Sequence, residues 1–371
     1  MTEPAAPGPG PRPRAVHQFV PALIPRDATG SHTLLLREAL RAAGWRSEIF
    51  AEATHDELLD ESIPVEDYDQ HAAPGDVLVY QFSTSSVVAE VLAARSEPLI
   101  LDYHNVTGPE HYEGWEPATA RRAAAAQQQL RLLAPRAVLG LADSAFNERD
   151  LVAAGCRRTA VVPVLVDLDR LADPDPRVAR RLAARKAEGG SDWLFVGRLV
   201  PSKAQHQLVK ALWAHHRLYG PTARLHLVGS APSGRYLAAL RSFVVDLGLE
   251  AAVRITGEVS DAALAAYYAA ADVYVSLSVH EGFGVPLLEA MRSGVPVVAL
   301  ATGGLPSTAG TAALLLADDE PSRVAAAVER VLTDQSLREH LVAAGRERIS
   351  ALSLEESGRI AVAAVASVVG P

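Results

Sequence analysis

The stretch 276–300 reads SLSVHEGFGVPLLEAMRSGVPVVAL, in the order strand, loop, helix, turn, strand. The β-rich apolar run 272–277 predicts the first strand. Pro286 fixes φ and lacks an N–H, so it suits the first helical position and predicts a helix over 286–292 with Gly294 as its C-cap. The loop before it carries Gly282 and Gly284 beside an acid, Glu281, and a second acid, Glu289, stands one turn into the helix. Glycines let backbone approach a ligand, and the unpaired N–H groups of a first helical turn favour an anion. A carboxylate a turn further in can accept two hydroxyl hydrogens, as a ribose-binding acid does. The element thus offers a phosphate cradle and a diol clamp. The blander reading is a dipole-stabilised acid near a helix start and a solvated Glu289.

The spacing separates the two readings. Glu281 and Glu289 form an E-x7-E pair around GFGVPLL. With its flanks, the stretch resembles the donor-site signature of the retaining glycosyltransferases of family four. The resemblance implies the GT-B architecture: an α/β chain of two doubly wound, Rossmann-like parallel-sheet domains facing a central cleft. It also implies transfer of a hexose-type sugar from a nucleotide diphosphate donor to an acceptor hydroxyl, with retained configuration and without metal or other cofactor. Glu281 then holds hydroxyls of the donor sugar, and Gly282, Phe283, Gly284, Val285 and Glu289 complete this part of the donor site. The amides of Gly284 and Val285 meet the phosphate.

The remaining candidates follow strand ends, where open α/β sheets bind ligands. GRLVPSK (197–203) places Arg198 and Lys203 after one such strand. In the family this pattern supplies the two cations that hold the diphosphate. A guanidinium grips phosphate oxygens bidentately and an ammonium adds a point charge. The chain has three lysines, Lys186, Lys203 and Lys210, among 35 basic residues, so a lysine kept here points to shape. Where the family carries glycine after this lysine, the chain has Ala204. His104 follows the apolar run LILDY, where the family places a histidine facing the reacting sugar; a satisfied core histidine is the alternative. Gly30 is the single glycine of a loop in which the family carries a pair reaching acceptor and phosphate. Glu258 and Val259 fall where the family's backbone meets the base. Thr302, Gly303 and Gly304 form a second glycine loop toward the sugar, and Ser307 stands where glutamate is common.

Composition bounds the class of protein. At 371 residues the chain accommodates two domains, and 49% hydrophobic with 21% charged residues describes a globular protein. A net charge of −9 lacks the electrostatic footprint of a nucleic-acid partner. One cysteine, Cys156, excludes an intrachain disulfide, which argues for a reducing compartment and hence the cytoplasm. No apolar run reaches the roughly 18 residues of a transmembrane segment. The expected partners are the nucleotide sugar and a small-molecule or glycan acceptor; the oligomeric state is open.

Alternating strand and helix patterns predict a tail over 1–13, an acceptor-side domain over 14–166, a linker over 167–191 and a nucleotide-sugar domain over 192–351. By resemblance the last helix, 352–371, returns to the first domain. Two other classes share this architecture. A nucleotide-sugar epimerase or glycosyl phosphorylase is one, although a pyridoxal-type phosphorylase needs a Schiff-base lysine that none of the three lysines matches in placement. A silent nucleotide-sugar sensor is the other, and the intact Arg198, Lys203, Glu281 and Glu289 speak against it.

Overall fold

The computed structural model describes residues 15–369, so the tail expected over 1–13 lies outside the described residues. The chain begins with β1 (Val16–Leu23), α1 (Ala28–Ala42), β2 (Ile49–Thr54), β3 (Ile63–Pro64), β4 (Val77–Phe82), α2 (Val87–Ala93), β5 (Leu99–Tyr103), α3 (Pro117–Leu133), β6 (Leu139–Ala142), α4 (Ala145–Ala153) and β7 (Thr159–Val161). These strands form one parallel sheet in the order β3-β2-β1-β4-β5-β6-β7. Strand β4, VLVYQF, is buried at every position because helices cover both faces of the sheet. Pro21 is tolerated inside β1 because pairing with β4 runs from Val16 to Phe19, and beyond it β1 is paired to β2 alone.

The second half contains α5 (Pro176–Lys186), β8 (Asp192–Val196), α6 (Gln205–Leu218), β9 (Arg224–Val228), α7 (Gly234–Asp246), β10 (Val253–Gly257), α8 (Asp261–Ala270), β11 (Val273–Ser276), α9 (Val285–Arg292), β12 (Val297–Leu300), α10 (Leu305–Ala309) and β13 (Ala313–Leu316). A second parallel sheet has the order β10-β9-β8-β11-β12-β13. Three helices close the chain: α11 (Pro321–Thr333), α12 (Gln335–Ala351) and α13 (Leu354–Val369). Strand order reverses between β1 and β4 in one sheet and between β8 and β11 in the other. These are the switch points at which open sheets leave a crevice, and the residues that follow these strands line one cleft. The chain therefore has the GT-B fold, two doubly wound parallel-sheet units.

Two segments tie the units together. Helix α13 packs on α1, with Ala361, Val365 and Val369 in one core cluster with Leu36 and Leu40. The crossover after β7 alternates sides. Val164, Val166 and Leu168 enter the core of the second unit, whereas Leu165 enters the first. The linker expected over 167–191 is no free tether, because α5 within it packs on α8 of the second unit.

Candidate active site

The opening stretch folds as strand, loop and helix. Helix α9 starts one residue earlier than expected, at Val285, with Pro286 in its first turn, and its C-cap residue is Ser293, followed by Gly294 at φ +70°. Gly284 caps the N-terminus in a left-handed conformation, φ +92°, and a Cβ there would lie 2.6 Å from the Leu305 side chain. Both facts demand glycine. In this turn Pro286 has no N–H and Leu287 N donates to the N-cap Gly284 O at 3.0 Å, which leaves the amides of Gly284 and Val285 for an anion.

Two adjoining cavities occupy the cleft, of about 680 and 500 Å³, and Arg26, Asp27, Gly197, Arg198 and Pro286 line both. The first holds His104, Lys203, Glu281, Gly284 and Leu287; the second holds Glu258, Val259, Val285 and Glu289. The structure thus gathers most residues singled out in the sequence, from β5, β8, β10 and β11–α9, around one space. Arg198 is exposed at the junction of the cavities. The Lys203 ammonium is ion-paired with Glu281. Lys203 is held by a 3-10 turn, Pro201–Lys203, that ends on Ala204 in the left-handed region, φ +50°. The family's glycine at this position now has a physical reason.

Three candidates stand elsewhere than expected. Helix α1 begins at Ala28, so Gly30 lies inside its first turn, donating to the N-cap Asp27. It is buried, with Ile24 O 2.5 Å from where a Cβ would sit, and is a packing residue behind the cleft. Asp27, Ala28 and Thr29 line the cleft instead. Phe283 points into the core of the second unit. Gly282 faces the first unit: Ser144 Oγ donates to its carbonyl at 2.7 Å. Likewise the loop at Thr302, Gly303 and Gly304 braces the Glu281 loop from behind, Gly304 N donating to Glu281 O at 2.8 Å. Ser307 is exposed and bonds the Gly304 carbonyl at 2.8 Å.

Glu289 is buried at 3% exposure on the wall of the second cavity. Tyr268 Oη donates to its Oε2 at 2.7 Å, and Arg170 pairs with its Oε1 while also pairing with Asp261. Burial raises the pKa of Glu289, and Arg170 opposes that rise.

His104 sits in a polar network. Nδ1 donates to Asp143 at 3.1 Å, and Nε2 faces Gln81 Oε1 at 2.5 Å. Gln81 in turn donates to Gln18 at 2.9 Å. Burial opposes the imidazolium, but Asp143 and Asp102 outweigh it and raise the pKa to about 9. His32, Asp102 and His104 place one ligand atom each within 4.8 Å of one another, a set that could hold a metal ion. Their hydrogen bonds already engage them: His32 bonds Asp102 at 3.1 Å and accepts from Leu165 N at 3.0 Å.

Sequence reasoning missed Arg170, Tyr268, Asp143 and the arginines of the first unit, Arg26 and Arg122, which line the first cavity. Asp143 directly follows β6, so the strand-end rule that selected His104 also points to it. Arg170 carries no such signal.

The fold and parts of the sequence are matched by known proteins. Residues 181–348 match the family model described as glycosyl transferases group 1. Over 246 residues the chain is 38% identical to the D-inositol 3-phosphate glycosyltransferase of Geodermatophilus obscurus, covering 64% of this chain and 54% of that protein. Over 201 residues it is 36% identical to the GDP-mannose-dependent alpha-(1-6)-phosphatidylinositol monomannoside mannosyltransferase of Mycobacterium tuberculosis, covering 51% of each. The chain spans about half the length of these curated relatives. The crystal structure of Anabaena Alr3699/HepE in complex with UDP and glucose superposes with a TM-score of 0.75 at 23% identity, covering 95% of this chain and all of that one. At that identity the likeness concerns the fold. Among the described residues no helix is long and apolar enough to cross a membrane.

Proposed function

We propose that the protein is a retaining glycosyltransferase that moves a hexose-type sugar from a nucleotide diphosphate to a hydroxyl of a phosphate-bearing acceptor. The observation that carries this reading is Arg198 standing where the two cavities meet, with Lys203, Glu281 and the α9 N-terminus in one and Glu289 in the other. The diphosphate spans the junction. Arg198, Lys203 and the amides of Gly284 and Val285 at the start of α9 stabilise the charge that grows on it as the glycosidic bond breaks. The nucleoside enters the second cavity, with Glu258 and Val259 beside the base and Glu289 under the ribose. The sugar lies in the first cavity against Glu281 and His104. The departing phosphate oxygen takes the acceptor proton, so attack comes from the leaving-group face and configuration is retained. No step calls for a metal, because the two cations neutralise the leaving group.

The acceptor enters from the first unit, past Arg26 and Arg122. Two guanidinium groups suit a phosphate monoester or diester, in keeping with relatives named for an inositol phosphate and a phosphatidylinositol glycoside. The test is to incubate the protein with UDP-glucose or GDP-mannose, with and without inositol phosphates, follow release of the nucleotide diphosphate, and read the product's anomeric configuration by NMR. Acceptor-dependent release with an axial product supports the proposal; an inverted product overturns the mechanism. A sensor would bind the nucleotide sugar and release nothing.

A further inference from the structure

We propose that Arg170 is the positioning residue that keeps Glu289 an aimed, charged carboxylate for the ribose diol of the donor. The inference rests on the reading that Glu289 receives the ribose. Arg170 belongs to the crossover between the two units, yet it lines the second cavity beside Glu289. Its guanidinium bridges Glu289 on α9 and Asp261 at the start of α8. Next to it, Asp169 pairs with Arg292 at the far end of α9 at 2.7 Å, so the crossover grips this helix at two points. Arg170 and Tyr268 take different oxygens of Glu289. Each carboxylate oxygen has two lone pairs, so one on each remains for a ribose hydroxyl. The two partners fix the carboxylate and leave acceptor capacity on each oxygen.

Charge points the same way. Glu289 is almost fully buried; Arg170 and Asp261 act on its charge, Tyr268 on α8 and Tyr274 on β11 feel it, and Arg26, Asp27, Glu38, Asp167, Arg198 and Glu258 line the same cavity. Without Arg170, Glu289 and Asp261 face one another with no shared cation. Burial and a like charge then favour the neutral acid. A neutral Glu289 loses the charge-assisted hydrogen bonds that make a carboxylate a strong diol acceptor.

Calorimetry of UDP and GDP binding to the full chain, between pH 5.5 and 8, tests the proposal on the wild type, Arg170→Ala, Arg170→Lys and Glu289→Gln. Taking the ratio of wild-type to variant affinity cancels the ligand's own titration. For Arg170→Ala the deficit should widen as pH falls, by at most about tenfold per pH unit below the new Glu289 pKa. Arg170→Lys should flatten that dependence again, and 2′-deoxynucleotide diphosphates should show a smaller deficit than the parent nucleotides. Arg170→Gln keeps a donor but no charge, and should behave as Arg170→Ala does if the alanine variant fails to fold. A deficit that is the same at every pH makes Arg170 a purely structural residue and overturns the proposal. Unaltered affinity in Glu289→Gln overturns the ribose reading itself, independently of Arg170.

Discussion

Lys203 and Glu281 stand 78 positions apart in the chain and form an ion pair on the wall of the sugar cavity, each side chain about four-fifths buried. In the reading proposed here, the lysine turns from this carboxylate toward the diphosphate when donor binds. Arg198→Ala and Lys203→Ala should each weaken nucleotide diphosphate binding by about 10- to 150-fold, the worth of a charged hydrogen bond of roughly 1.5–3 kcal/mol. The free nucleoside should bind as before. Calorimetry on both ligands checks this, and equal losses for the two would remove these residues from the phosphate site. Excess EDTA should leave turnover unchanged, because the cations take the part a metal would otherwise play.

Ala204 supports Lys203 at an energetic cost. It is buried at 1% exposure and left-handed, φ +50° and ψ 40°. A left-handed L-residue is strained by roughly 1–2 kcal/mol. Glycine removes that strain but gives up a buried methyl and adds unfolded-chain entropy. Ala204→Gly should therefore be close to neutral, or stabilising by up to about 1 kcal/mol. Ala211→Gly, in the buried interior of α6, should lose roughly 1–2 kcal/mol. Chemical denaturation of both variants checks the contrast; equal losses would mean Ala204 is not strained.

The sequence disclosed what local pattern controls. The alternation of apolar strands and helices reports the two sheets, because parallel strands are buried on both faces. The 276–300 stretch and GRLVPSK report the diphosphate side, since the turn glycines and Pro286 lie within a few residues of each other in the one stretch and the two cations do so in the other. Gly30 reads as a loop residue, whereas the Asp27 N-cap starts α1 at Ala28 and puts the glycine inside the first turn. What sequence could not disclose is partnership across distance. Arg170 meets Glu289 from 119 positions away, and Asp143 meets His104 from 39. Such pairs are fixed by how the crossover and the strands pack.

The His104–Asp143 pair makes stability depend on pH in a defined direction. Burial disfavours the imidazolium, but Asp143 and Asp102 raise its pKa from 6.5 to about 9. A raised folded-state value means that the charged form is bound more tightly in the native state. The stabilisation is full below about pH 6.5 and is lost as pH climbs through about 9. Asp143→Asn removes the largest favourable partner. Its melting temperature should fall most, relative to wild type, near pH 6, and the gap should narrow toward pH 9.5. A gap of constant size across that range would show that His104 does not titrate there.

Gly304 bears on turnover from behind the site. A Cβ at this position would sit 1.9 Å from the Gly282 carbonyl oxygen and 2.8 Å from Ser144 Oγ, both fixed by their own hydrogen bond. Neither is the free end of a flexible side chain, so Gly304→Ala must push the Glu281 loop away from its place. A displacement near 1 Å at a catalytic group can lower turnover by about 100-fold. Steady-state kinetics should show that loss in kcat, with nucleotide diphosphate affinity, read by calorimetry, much less affected. Unchanged kcat would mean that the loop's position does not govern the chemistry.

The two acids of the α9 element should separate by the ligand they serve. Glu289 faces the nucleoside cavity from inside the helix, buried and held by Arg170 and Tyr268. Glu289→Gln keeps the shape and removes the charge, and it also leaves Arg170 with one carboxylate instead of two. It should weaken nucleotide sugar and plain nucleotide diphosphate alike, by about 10-fold or more for a charged contact of roughly 1.5–3 kcal/mol. Glu281 faces the sugar cavity and is paired with Lys203. Glu281→Gln takes a negative charge from beside the diphosphate site and frees the ammonium. Nucleotide diphosphate should then bind as well as before, or better. Turnover should still fall, because Glu281 serves the group being transferred, and interactions made chiefly in the transition state appear in kcat rather than in ground-state affinity. Calorimetry with UDP and GDP beside steady-state kinetics distinguishes the two. If Glu281→Gln loses diphosphate affinity as severely as Glu289→Gln does, both acids serve the nucleotide, and the sugar lies elsewhere in the cleft.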